Sequence, residues 1–216
     1  MKEKIYTIPV NEAFDEPGEC GFCVLHRKLE KEILAYVTGP AYMEEDVRAD
    51  MNRMGFCKEH YRQMYEAGNR LGVALMLQTR LRYLAEHSKK REPDACYACM
   101  RMEKRMETYF ATFFYLWKTE PEFREKVLSG KGFCQVHFDT IAEKGRKQLM
   151  KKPYTEMMKT LEPFQQTHME RIEEELDWFI RKFDYRFKEE PWKNSKDAVE
   201  RGIQKVAAIL LEEGGN

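Results

Sequence analysis

The sequence has no excess of charge of either sign, since lysine plus arginine number 37 and aspartate plus glutamate also number 37. A chain so balanced carries no overall field to draw it onto nucleic acid or an anionic membrane, and nucleic acid is not an expected partner. Long hydrophobic runs are missing too. The longest, residues 109–117 (YFATFFYLW), falls far short of the roughly 20 apolar residues that a membrane-spanning helix needs. Near the N-terminus the apolar stretch 5–10 is interrupted by Thr7 and Pro9, where a signal peptide has a longer apolar core. The expectation is a soluble, cytoplasmic protein without a membrane span. Strand-like alternation of useful length is absent, so the expected fold class is all-α. So are a recognisable catalytic triad, a phosphate loop and a carboxylate motif, and the chain reads as non-enzymatic.

What is present is cysteine, six residues, and in a reducing compartment these are read as metal ligands or redox thiols before disulfides. Their spacing repeats. EPGECGFC at 16–23 aligns with EPDACYAC at 92–99, an offset of 76, and GFCKEHYRQMYEAG at 55–68 aligns with GFCQVHFDTIAEKG at 132–145, an offset of 77. One insertion accounts for the difference, and the order and chemistry of every matched feature are kept. This is an internal duplication. The chain divides into a first CxxC…GFCxxH repeat at 1–91, a second with a long helix at 92–187, and a linker with a C-terminal helix at 188–216. Its 216 residues suffice for these to form one compact domain.

Between the anchors, apolar residues recur at spacings of three and four. Residues 24–37 read as a helix ended by Gly39-Pro40, and residues 41–54 as a second of about the same length. Such an antiparallel hairpin would bring Cys57 and His60 beside Cys20 and Cys23. In the second repeat, residues 97–119 go out and 121–128 begin a shorter return, so closure there is less symmetric. Further helices are predicted over 58–87 and 135–150. A long one follows over 154–187, where Pro163 should kink or restart it, and Asn194 or Ser195 could cap a last one ending near Glu212. The expected architecture is a bundle of two metal-clasped hairpin units plus long C-terminal helices.

A CxxC pair lets two thiolates grip one ion from a tight turn, and amides at a helix start favour thiolate charge. A CxxH at a helix start supplies the other half of a tetrahedron, because residues three apart share a face. Cys20, Cys23, Cys57 and His60 form one Cys3His set, and Cys96, Cys99, Cys134 and His137 the other. Exchange between repeats, with Cys20 and Cys23 joining Cys134 and His137, is an alternative that spacing leaves open. Gly55 and Gly132 can take a positive φ, while Phe56 and Phe133 can shield the sulfurs or staple the helix entry. Two zinc ions per chain are the expected cofactors, with an iron–sulfur cluster as the alternative. A tetrahedron filled by protein atoms leaves no place for an activated water, so structural zinc is expected.

Other features read more plainly. His26 follows Cys23 by three residues, but its counterpart in the second repeat is Met102, which argues against a ligand. His87 and His168 have no metal-like partners in sequence. The run 109–117 is apolar all round and reads as core, with a dimer interface or an apolar pocket wall as alternatives. The methionine pairs Met51/Met54 and Met157/Met158 read as core filler. The cationic stretch 144–152 reads as a solvated helix face.

The twin CxxC…GFCxxH halves, followed by KFDYRFKEEPWKNSKDAVERGIQK at 182–205, resemble an uncharacterised bacterial family, a domain of unknown function of about this length. The resemblance covers most of the chain and implies no established activity. Asp184, Tyr185, Arg186, Trp192 and Asp197 in its tail segment either line a binding site or dock the last helix, and docking is the simpler reading. The expected function is a zinc-stabilised helical protein that binds a protein or small molecule, with a homodimer among its allowed states. A thiol/zinc redox sensor and an iron–sulfur electron-transfer protein or enzyme are the alternatives.

Overall fold

The computed structural model describes residues 6–87 and 95–211. Residues 92–94 of the second CxxC motif, the segment boundary at 91/92 and the predicted helix end at Glu212 lie outside them. The described residues form ten α-helices and no strand. They are α1 (Thr7–Asp15), α2 (Gly21–Thr38), α3 (Glu45–Met54), α4 (Lys58–Glu66), α5 (Arg70–Glu86), α6 (Tyr97–Thr119), α7 (Pro121–Ser129), α8 (Gln135–Gln148), α9 (Lys151–Arg181) and α10 (Ala198–Ala207). The chain is all-α. Among the described residues no helix is long and apolar enough to cross a membrane.

The helices gather into two compact units, one drawn from Met1–Leu25 and Thr108–Asn216, the other from His26–Glu107. These cut across the sequence repeats. The first unit is built on aromatic residues. Phe22 stacks on Phe110 with centroids 4.2 Å apart, while Phe14 and Phe123 meet Phe113 at 5.7 Å each and Phe133 meets it edge-on at 6.0 Å. Phe110, Phe113, Phe114, Leu116 and Trp117 are all buried, as a run apolar on every side requires. Around them α1 packs on α7, α8 on α9, and α10 on both α8 and α9.

The second unit has a methionine-rich interior, in which Met51, Met64, Met76, Met102 and Met106 join Leu29, Leu34 and Val37. Its α3 and α4 pack on α5. The start of α5 is pinned by Asn69, whose Oδ1 accepts from the Gly72 amide at 3.1 Å while its Nδ2 donates to the Thr38 carbonyl at 2.6 Å. Gly72 lies so close to Thr38 that a Cβ there would sit 1.9 Å from that carbonyl oxygen, so only glycine fits.

Three element boundaries depart from the periodicity. The helix predicted over 58–87 is divided at Gly68, whose φ of 85° leaves the helical region, and Asn69 then caps α5. Proline does not interrupt α9, which continues through Pro163. Pro163 is exposed, so the one helical hydrogen bond it forfeits faces water. The last helix starts at Ala198, because the Ser195 hydroxyl is engaged by the Trp192 carbonyl at 2.7 Å, and it ends at Ala208 with φ 60°.

Candidate metal centres

Each cysteine–histidine pair is placed by the start of a helix. Cys57 is the N-cap of α4 and Cys134 the N-cap of α8, so His60 and His137 fall one turn inside on the same face. The glycine two residues earlier turns the chain into this cap, with φ 74° at Gly55 and 81° at Gly132. Cys20 lies just before α2 and Cys96 just before α6, with Cys23 and Cys99 in the first turns. Amides support the sulfurs. The His137 N–H donates to Cys134 Sγ at 3.4 Å, and the Cys99 N–H to Cys96 Sγ at 3.5 Å.

Two groups of four result, each with its ligand atoms within 4.8 Å of one another, and each could hold a metal ion. Their membership corrects the expected pairing. Cys20 and Cys23 meet Cys134 and His137 in the first unit, and Cys57 and His60 meet Cys96 and Cys99 in the second. The returning helices are shorter than the outgoing ones: α2 has 18 residues but α3 only 10, and α6 has 23 against 9 in α7. At about 1.5 Å per residue the returns fall short of the outgoing helices by roughly 12 Å and 21 Å.

The spacings fit a single ion. Bonds of about 2.3 Å to sulfur and 2.0–2.1 Å to nitrogen in a tetrahedron put sulfurs about 3.8 Å apart and sulfur about 3.5 Å from nitrogen. In the first unit Cys23 Sγ is 3.6 Å from Cys134 Sγ, and His137 Nδ1 is 3.6, 3.5 and 3.1 Å from the sulfurs of Cys20, Cys23 and Cys134. In the second, Cys57 and Cys99 Sγ are 3.9 Å apart, and His60 Nδ1 is 3.1, 3.3 and 3.5 Å from Cys57, Cys96 and Cys99. Both histidines present Nδ1. Cys96 on one side and Glu30 on the other push His60 up to about 10. Burial lowers His137, but hydrogen bonds from Cys134 and Cys20 outweigh it and push it up to about 10.

The profile of a family of unknown function (DUF6062) matches residues 1–93 and 85–213. The chain belongs to this family. Its two matched segments of DUF6062 carry Cys20, Cys23, Cys57 and His60 in the first, and Cys96, Cys99, Cys134 and His137 in the second. No curated protein matches the chain, and no solved structure does.

The surroundings of the two groups differ. In the first unit Cys20, Cys23 and Cys134 are at most 2% exposed, and the His137 ring lies against Phe22 with centroids 5.7 Å apart. Lys205 Nζ, itself 1% exposed, donates to the carbonyls of Glu19, Lys131 and Phe133 and pairs with the Glu19 carboxylate at 3.4 Å. One ammonium thus ties the residue before Cys20 to the residue before Cys134. Burial lowers the Lys205 pKa from its ordinary value, against the opposing pull of Glu19. Gln165 brackets Phe133, accepting from its N–H at 2.9 Å and donating to its carbonyl at 3.0 Å. Glu19 also pairs with Arg171 and Arg201, both of which pair with Glu175.

In the second unit Cys99 is exposed and Cys57 half-buried, while Cys96 and His60 are buried. The outer ring nitrogen of His60, Nε2, faces Glu30 Oε1 at 3.4 Å, an arrangement that orients a ligating histidine. The Gly55 carbonyl accepts from the Tyr97 N–H at 2.9 Å, and Phe56 packs edge-on against Tyr61 and Tyr97.

His26, His87 and His168 stand outside both groups. His87 stacks on Tyr83, and His168 lies edge-on to Phe164. In the tail, Asp184 pairs with Arg186, Asp197 pairs with Arg201, and Trp192 packs on Phe179, whereas Tyr185 is 86% exposed. Sequence reading missed Glu19, Glu30, Gln165 and Lys205. One signal was available: in the repeat alignment Glu19 is opposed by Ala95, a carboxylate beside one CxxC pair and not the other.

Proposed function

We propose that this chain is a non-enzymatic, zinc-binding helical protein that carries one structural zinc ion in each unit and presents the bundle to a protein or small-molecule partner. Cys20, Cys23, Cys134 and His137 hold one ion; Cys57, His60, Cys96 and Cys99 hold the other. The observation that carries this is the convergence of two four-atom ligand sets at single-ion spacing. Three thiolates and an imidazole favour zinc among common divalent ions, and four protein ligands close the tetrahedron to substrate. An iron–sulfur cluster would interpose a body larger than one ion, and ligand atoms within 4.8 Å of each other leave little room for it. Each ion ties together turns more than 30 residues apart in sequence, supplying a cross-link that the local helices lack.

Elemental analysis of anaerobically purified full chain tests the reading. About two zinc ions per chain, in a colourless protein whose helicity falls when a strong chelator strips them, is the expected outcome. Iron with visible absorption, or metal near zero with a helical content indifferent to chelator, would sink it.

A further inference from the structure

The duplication places one cysteine pair in two settings. Cys57 and Cys99 correspond in the repeat to Cys134 and Cys23. Both pairs are close, with Sγ atoms 3.9 Å and 3.6 Å apart. The Cys23–Cys134 pair is sealed, at 1% and 0% exposure. Cys99 is open to solvent, and beside Cys57 lies a cavity of about 560 Å³ walled by Phe56, Tyr61, Leu77 and Leu81. Cys96, the other half of that CxxC, is 6% exposed and receives the Cys99 N–H.

We infer that the second centre is a thiol-oxidation site for peroxides, at which Cys99 reacts first and Cys57 resolves it into a Cys57–Cys99 disulfide with release of the ion. The inference rests on the two-zinc reading above. Cys99 Sγ attacks one peroxide oxygen, the O–O bond breaks and hydroxide leaves, giving a sulfenic acid. Cys57 Sγ then attacks Cys99 Sγ, the S–O bond breaks and a second hydroxide leaves. The two thiolates lose two electrons, the peroxide gains them, and two solvent protons turn the hydroxides to water. Only Cys96 and His60 remain to the ion, and it dissociates. The new bond joins the start of α4 to the first turn of α6, the elements the ion had joined, so the unit keeps its cross-link while changing its metal content.

The experiment adds hydrogen peroxide, one equivalent, to zinc-loaded full chain, follows free zinc with a chromogenic chelator and maps thiols by differential alkylation and mass spectrometry. Expected are release of about one zinc per chain and a Cys57–Cys99 cross-linked peptide. Oxidation at Cys20, Cys23 and Cys134 should be roughly tenfold or more slower, as burial denies access. Both ions leaving together, a Cys96–Cys99 disulfide, or Cys23–Cys134 oxidised first would overturn the inference and leave the two-zinc reading standing. Protein that never held zinc would overturn that reading instead. In Cys57→Ser a diketone probe should trap the Cys99 sulfenic acid with no disulfide formed; should that variant not fold, the wild-type thiol map decides alone.

Discussion

The two centres share ligand types, ligand order and local backbone, yet one is sunk in an aromatic core and the other lies partly in solvent. Around the first, Lys205 and Gln165 hold the Phe133 carbonyl, and Lys205 also holds the Glu19 carbonyl, so both cysteine turns are braced by groups that are not ligands. Around the second, Glu30 stands behind His60 and the Tyr97 N–H donates to the Gly55 carbonyl. The two groups match in motif and differ in surroundings, and it is burial and bracing, rather than residue identity, that separate a closed clasp from an accessible one.

The contrast is most exposed to test at Lys205. Lys205→Met takes this donor from the Glu19 and Lys131 carbonyls, leaves the Phe133 carbonyl with Gln165 alone, and removes one cation from Glu19. A loss of about 3–5 kcal/mol is expected in thermal or denaturant unfolding of the first unit. Chelator challenge should then strip the first centre faster and the second at its wild-type rate. Equal acceleration at both would mean that the bracing is not local.

A smaller effect is expected on the other side. Glu30→Gln removes the carboxylate behind His60, and competition with a chelator should show zinc affinity at the second centre weakened by roughly 10–100-fold. The first centre should be unchanged, since His137 has aromatic neighbours on its ring instead.

The smallest effect concerns acid. Burial, then the charges of Lys205, Arg171 and Lys131, hold the His168 pKa below its ordinary 6.5, with Glu19 opposing. Protons therefore bind the unfolded chain more readily, so stability falls as pH drops below 6.5 toward the folded value. For a ring only partly buried the loss should stay under about 1 kcal/mol. His168→Gln should flatten that part of the stability–pH curve, read by unfolding at pH 5 to 7. An unchanged slope would assign the acid response elsewhere.

Much of this architecture was legible in the residues. Three-and-four spacing marked α2, α6 and α7 to within a few positions, and the glycine of each GFCxxH turn takes the positive φ that its type permits. The split between α4 and α5 was hidden because apolar spacing continues across Gly68, whose role shows only in its φ and in the cap that Asn69 makes to Thr38 and Gly72. Lys205 was hidden for a different reason. A lysine at the end of an amphipathic helix reads as solvated, and it is the convergence of carbonyls from two distant turns, with the Glu19 carboxylate, that makes its burial tolerable.

By itself the sequence determined the half-sites. CxxC and CxxH join residues three apart at helix starts, where local backbone geometry sets which atoms face together. The choice of which half-sites meet belonged to the tertiary structure, because it depends on unequal helix lengths and on packing that brings together residues more than 30 positions apart. The same packing sealed Cys23 and Cys134 and left Cys99 in water, a difference in solvent access that no local spacing encodes.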